Sequence, residues 1–499
     1  MVTPIVRFVV AAALAFSKQF QRSSLSTRVS FSELLLQASS SSTSSSSSKS
    51  ATTFATKTSE NDDPLSLSYL CRLFGASSPI DDDLLYLKTN PQTGIRGVYV
   101  NQEIAQNDVL LEIPLKACLR DDSPPTWYAK QQQQQDGEEN EDNYAVSVEG
   151  WVTRLTASLL DIKYNLSLSS SSSHSNDDEA IQAWLELLPT NLRDLLPIHW
   201  DSSMVASADC RALELAVDAA YFARAGPIGD LMLALKEDSS ERANRISQRQ
   251  IEDALDLVQT RACRVESSTI SRDDENNRGH PLRLLVPIFD LINHDRNHNA
   301  EFVRGSTTTD SIQVRALTTI AADSEIFINY GSTSTQPAWK CLFSYGFVPL
   351  SSSSTTSDDG SQSEDSVPNV YEDDLAELIV NDKKDPNRNA RFEIGPTEIP
   401  YELVRFEAIQ SGQFHPNDNG GEEDFDFTPE IGQRIVDRIL LAAKELDDNN
   451  NNDTSSSSNN DGLKKDISVA ASLVGNLRES NRRTLLACAG GLREYLSEL

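Results

Sequence analysis

The chain has 499 residues, enough for two or three domains, and a net charge of −31. That acidic balance excludes a large nucleic-acid footprint, which needs clustered Lys and Arg, and suits either a basic partner or plain solubility. The hydrophobic fraction of 38% is low because Ser, Gln and Asn runs dilute the folded parts.

Residues 1–60 read as a targeting and disordered Ser-rich presequence. Residues 1–59 carry six Lys or Arg and a single acid, Glu33. Arg7 precedes the apolar run FVVAAALAF (8–16), which is too short to span a membrane but fits a signal-peptide core. A basic, Ser- and Thr-rich, acid-poor segment follows. A signal core joined at ALA-F to a transit-like stretch resembles the bipartite plastid presequence of algae with complex plastids. Secretion, a mitochondrial presequence and a disordered tail are the other readings. No other stretch is apolar for 18 residues, so no stable membrane insertion is expected.

Globular composition begins near residue 64. PLSLSYLCRLFGAS predicts a short helix with Leu67, Leu70 and Phe74 on one face. LLYLKTNPQTGIRGVYVNQEIAQNDVLLEIPLKACL (84–119) predicts short strands punctuated by Asn90-Pro91, Gly94 and Gly97. The glycines of TGIRG would let backbone approach a ligand, although a plain hairpin turn is the more frequent explanation of such a pair. Residues 61–120 are taken as one half of a β-rich domain, and 121–280 as a helical insert. Within the insert, 121–147 is a polar loop with a Gln run, and WVTRLTASLLDIKYNL (151–166) is helical in spacing. IQAWLELLPTNLRDLLPIHW (181–200) reads as helix and turn. A helix over 207–238 is expected to break at Gly226-Pro227. ISQRQIEDALDLVQTRACRV (246–265) is a helix capped by Ser247, with Arg261 near its end.

Residues 281–350 hold the polar groups that matter most. Asn293 and His294 end an apolar run, VPIFDLI, read as strand; Tyr330 ends a second, EIFIN; Tyr345 and Phe347 follow. Polar side chains gathered at one edge of a small β core are expected. Residues 351–370 read as a linker. Residues 371–499 read as an all-α domain built from VYEDDLAELIV, EIPYELVRFEAIQ, IGQRIVDRILLAAKEL and SNRRTLLACAGGLREYLSEL.

The six cysteines are scattered without CxxC spacing, which argues against a zinc site or a disulfide scaffold and for reduced thiols. Asp290, His294 and His298 would need a helix to share a metal, so no metal is expected. No GxSxG, HExxH or Walker loop occurs, and no GxGxxG follows a strand.

VPIFDLINHD, EIFINYG and SYGFV, in this order, resemble the C-terminal half of a SET domain, in the subclass of the Rubisco large-subunit lysine methyltransferase. GIRGVYVNQEIAQNDVLLEIP resembles the N-terminal half. AWLELLP…PIHW and Thr260-Arg261-Ala262 resemble the helical insert, with Thr260 where the family has Ser. The helical C-terminus resembles, more weakly, the family's substrate-binding domain.

The resemblance implies an α+β fold: a β-rich SET domain with a knot-like C-terminal half, split by a helical insert and followed by an all-α domain. It implies transfer of methyl from S-adenosylmethionine to a protein nitrogen, most readily lysine. Tyr330 would be the active-site tyrosine and would also border the cofactor. Asn293, His294, Arg261 and the backbone at Gly94, Ile95, Arg96 and Gly97 would hold the cofactor, Arg261 through its carboxylate. Asp290, Ile328, Tyr345 and Phe347 would line an apolar channel for the lysine stem. The expected partner is a protein substrate: Rubisco or aldolase in a plastid, otherwise a ribosomal or other protein. The enzyme itself would be a monomer. A protein-histidine methyltransferase, or a silent SET-fold adaptor binding through its helical domain, are the alternatives.

Overall fold

The computed structural model describes residues 67–81, 83–90, 95–129, 150–168, 176–238, 241–265, 281–305, 310–330, 337–349, 370, 375–381, 389–414, 427–455 and 469–498. Residues 1–60, read above as a presequence, the part of 121–147 beyond residue 129 and residues 351–368 fall outside them.

In chain order the helices are α1 (Leu67–Leu73), α2 (Trp151–Leu168), α3 (Asn176–Leu187), α4 (Arg211–Glu237), α5 (Gln248–Arg261), α6 (Ala338–Tyr345), α7 (Tyr401–Ser411), α8 (Pro429–Ser455) and α9 (Val469–Glu498), with shorter turns between them. The strands are β1 (Leu85–Thr89), β2 (Arg96–Val100), β3 (Val109–Pro114), β4 (Leu119–Arg120), β5 (Cys263–Val265), β6 (Leu282–Leu285), β7 (Asn293–His294), β8 (Ala300–Arg304), β9 (Ser311–Ala316), β10 (Phe327–Ile328), β11 (Ala376–Asn381) and β12 (Asn389–Ile394). Contacts sort the chain into two compact units. The described parts of Ala38–Leu192 and Phe222–Ser332 form one, those of Arg193–Tyr221 and Thr333–Leu499 the other. The insert read over 121–280 is therefore divided between them.

The first unit is built from small antiparallel sheets: the β1-β2 hairpin, β3-β9-β8, and β4-β6-β5. From Ile312 onward β9 alternates, with Ile312, Val314 and Ala316 buried and Gln313 and Arg315 less so, as a strand with one covered face must. In β3 both Leu110 and Leu111 are buried, because the register slips by one residue between Val109 and Leu111. The two halves of this unit meet far from one another in sequence. Ile326 N–H donates to Val98 O at 2.8 Å, Val100 N–H to Ser324 O at 3.1 Å, and Ile104 pairs with Ile320. This zipper sets β10 near β2 and lets it pair in parallel with β7, Phe327 opposite Asn293 and Ile328 opposite His294.

The apolar run VPIFDLI is not a strand. β6 stops at Leu285, and a 3-10 turn spans Phe289–Leu291. Pro287 supplies no N–H to a ladder. Ile288 reverses the chain with φ 72° while its side chain stays 1% exposed. Positive φ is a strained conformation for a β-branched residue.

The predicted break at Gly226-Pro227 is also absent: α4 runs through Pro227 without interruption. Burial of Leu231, Ala234 and Leu235 on the following turns helps offset the roughly 3 kcal/mol that an interior proline costs.

α5 has the capping box its sequence announces. Ser247 Oγ accepts from Gln250 N–H, and the Gln250 side chain takes the Ser247 N–H at 2.8 Å.

In the second unit α7, α8 and α9 pack around Ile431, Ile435, Ile439, Leu485 and Leu492. The region is helical, as expected, with one correction: AELIVN, read as helix, is strand β11, paired with β12. Ala376, Leu378 and Val380 are buried while Ile379 is 48% exposed, which is a period of two. Glu407 is fully buried on α7 and takes ion pairs from Arg434, at 3.1 Å, and Arg438 on α8. Two guanidiniums answer the desolvation of one carboxylate.

Candidate active site

The parallel β7-β10 pair gathers the polar groups. Tyr330 lies two residues past β10, and its hydroxyl donates to Ile292 O at 2.7 Å. Its N–H donates to His294 Nδ1 at 3.1 Å, and the two rings sit 5.3 Å apart. A nitrogen that accepts cannot also donate, so the imidazole proton belongs on Nε2. The 3.2 Å approach of Nδ1 to Ile328 O is then a contact and not a hydrogen bond. Burial lowers the His294 pKa from its ordinary value, which keeps the ring neutral near pH 7.

Asn293 is held by two acceptors. Its Nδ2 donates to Arg96 O at 2.9 Å and to Glu325 Oε1 at 2.7 Å. Glu325 also accepts from the Tyr99 hydroxyl at 2.8 Å, and burial with that bond pushes the Tyr99 pKa up to about 12. Gly97 lies directly beneath: a Cβ there would come 2.0 Å from Glu325 Oε1 and 3.0 Å from Asn293 Nδ2. The close approach allowed by this glycine is used by the protein's own side chains. Ile95 is 56% exposed, and its carbonyl accepts from Asn90 N–H at 2.8 Å. Gly94 lies outside the described residues.

The second cluster forms around Asp290, which the Ile288 reversal turns inward. Trp184 Nε1, from α3, donates to both of its oxygens at 3.1 and 3.2 Å. Arg261, at the end of α5, donates through Nη1 to the Asp290 carbonyl and lies 4.0 Å from its carboxylate. Burial raises the Asp290 pKa to about 6, with Arg261 and the Trp184 bond opposing. Arg96 donates to Leu187 O. Its pKa is lowered by burial and then by the charge of Arg261, with Asp290 working against both. Arg261 Nε is buried with no hydrogen-bond partner among the described residues. Thr260 returns its hydroxyl to the helix, donating to Asp256 O at 2.7 Å.

Ile328 is 1% exposed, its carbonyl accepting from Asp295 N–H at 3.2 Å. Tyr345 and Phe347 belong to the second unit. There they stack at 6.0 Å across Gly346, which ends α6 with φ 77° and sits against Leu195.

Sequence reading missed Glu325, Tyr99 and Trp184. Glu325 had one usable cue, an acid at the head of an otherwise apolar strand. Trp184 had none, since its partner lies 106 residues away.

Chemically, the two clusters offer, among the described residues, a buried guanidinium N–H with no hydrogen-bond partner, a fixed amide whose oxygen accepts no hydrogen bond, a neutral imidazole and an anchored phenol. A guanidinium donor and an amide acceptor complement, respectively, the carboxylate and the ammonium of an α-amino acid group.

Residues 95–331 match the family model described as SET domain. Among solved structures, the chain is similar to the SET domain of LSMT bound to lysine and AdoHcy, at 13% identity, covering 87% of this chain and 93% of that one, with a TM-score of 0.47. It is also similar to Rubisco LSMT bound to sinefungin and monomethyllysine, at 12% identity, covering 88% and 94%, with a TM-score of 0.46. A third similar structure is Rubisco LSMT bound to AdoMet, at 14% identity, covering 86% and 91%, with a TM-score of 0.43. No curated protein matches the chain.

Proposed function

We propose, from the match of residues 95–331 to the SET domain model, an S-adenosylmethionine-dependent protein N-methyltransferase acting on a lysine side chain. The observation that carries the reading is the parallel pairing of Asn293–His294 with Phe327–Ile328. It sets the Tyr330 phenol on Ile292 O beside the residues that would hold the cofactor.

The residues present fit that cofactor. The unpartnered Arg261 Nε is a donor for its carboxylate, and the Asn293 amide oxygen is an acceptor for its ammonium. The neutral His294 ring borders the adenine end in this reading, and Arg96 and Gly97 supply backbone. When bound, S-adenosylmethionine supplies a sulfonium methyl for displacement by a neutral amine.

Tyr330 has the positioning role. Its hydroxyl proton is committed to a backbone carbonyl, so its oxygen accepts from an approaching amine and aims the nitrogen lone pair. Positioning of this kind supplies on the order of 7–11 kcal/mol. In this reading Ile328 and Asp290, both buried, would line the amine's channel, and the apolar Ile328 would exclude water there, which favours the neutral amine. Asp290, with its raised pKa of about 6, also orders the end of α5 through Arg261.

The test is methyl transfer from labelled S-adenosylmethionine by the full chain into stromal and cytosolic protein extracts, with Tyr330→Phe as control. Label on a lysine of a discrete protein, lost in the variant, supports the reading. Failure to bind S-adenosylhomocysteine by calorimetry would overturn it in favour of an adaptor.

A further inference from the structure

We infer that Glu325 is a positioning residue that fixes the Asn293 amide so that its oxygen, and not its nitrogen, faces the amino-acid end of the cofactor. The inference rests on the cofactor reading above and adds a residue to it.

The argument is one of donors and acceptors. A free asparagine side chain can present either end of its amide to a ligand. Here the nitrogen end is claimed twice, by Arg96 O at 2.9 Å and by Glu325 Oε1 at 2.7 Å. Neither a carbonyl nor a carboxylate can donate, so the reversed amide would set oxygen against oxygen at both contacts. The Asn293 oxygen is therefore turned away from both and accepts nothing among the described residues. An ammonium is the donor it suits.

Glu325 is itself immobilised. Its other oxygen takes the Tyr99 hydroxyl at 2.8 Å, and its carbonyl takes Asn299 Nδ2 at 2.8 Å. Asn299 in turn accepts the Phe327 N–H at 2.8 Å. The amide orientation is thus tied to the strand that leads to Tyr330. Gly97 makes room for the carboxylate, since any Cβ there would overlap it.

Calorimetry on the full chain tests this with three ligands: S-adenosylmethionine, S-adenosylhomocysteine and 5′-methylthioadenosine, which lacks the amino-acid end. Glu325→Leu is expected to weaken the first two alike, by tenfold or more, and to leave the third within twofold. Tyr99→Phe removes the other half of the Glu325 bonding and is expected to weaken the first two by less than Glu325→Leu does, leaving the third within twofold. Glu325→Gln keeps an acceptor toward Asn293 and is expected to bind like wild type. It carries the test if the Leu variant does not fold, and a tenfold loss there would overturn the inference. Equal losses for all three ligands in Glu325→Leu, or a Tyr99→Phe loss as large, would show a purely structural role and overturn it as well. Wild type that binds none of the three overturns the cofactor reading itself; wild type that binds, with Glu325→Leu unimpaired, overturns this inference alone.

Discussion

Asp290 shows how much a single buried group can carry. Its pKa is about 6 in the fold against an ordinary 3.8, so the folded state binds the proton more tightly than the unfolded one. Stability from this group is therefore highest below about pH 4, falls as pH rises, and is fully lost above about pH 6. The total is about 3 kcal/mol at 1.36 kcal/mol per unit. Between pH 7 and pH 5 the wild type is expected to gain about 1 kcal/mol more than Asp290→Asn, read by urea melts at both pH values. Parallel pH dependence in the two proteins would refute the assignment. Tyr330→Phe is expected to lower the transfer rate by about a hundredfold, with S-adenosylhomocysteine affinity within threefold, since the backbone carbonyl of Ile292 and not the cofactor holds the hydroxyl. Gly97→Ala must displace a carboxylate held by one hydrogen bond on each oxygen. A stability loss of about 1–3 kcal/mol is expected, together with weaker cofactor binding, checked by thermal melts and calorimetry.

At the scale of elements, local rules explain where segments begin and end. The Ser247–Gln250 capping box starts the helix that ends at Arg261. Ser247→Ala should cost about 1 kcal/mol by chemical denaturation, with Arg261's hold on the Asp290 carbonyl unchanged and cofactor affinity preserved. Gly346 closes α6 by a local rule as well: its φ of 77° suits glycine, and the space against Leu195 admits no Cβ. β11 was misread because DLAELIV fits a helical face as well as a strand. Its pairing with Asn389–Ile394 decides the matter, and pairing across a seven-residue gap is invisible in a local window. VPIFDLI misled in the opposite direction, since apolar content without alternation does not separate a strand from a buried turn.

At the scale of the molecule, the two compact units do not follow sequence order, because residues 193–221 group with the C-terminal residues. The presequence is a question at this scale too. Residues 1–60 fused to a fluorescent protein are expected to direct it to the plastid of an alga with complex plastids; secreted or cytosolic fluorescence would retire that expectation.

The sequence by itself determined the order of the motifs that resemble a SET domain and, through that resemblance, the candidate residues Asn293, His294, Arg261 and Tyr330, because residue type and spacing along the chain are local information. It also determined most helices, whose caps and apolar faces are written within one or two turns. The tertiary structure alone decided which groups face one another. Trp184 meets Asp290 across 106 residues, and Glu325 meets Tyr99 across 226. Such partners are selected by burial, where an unmatched polar group is costly and a matched one is held. Burial is a property of the folded chain and has no address in the sequence.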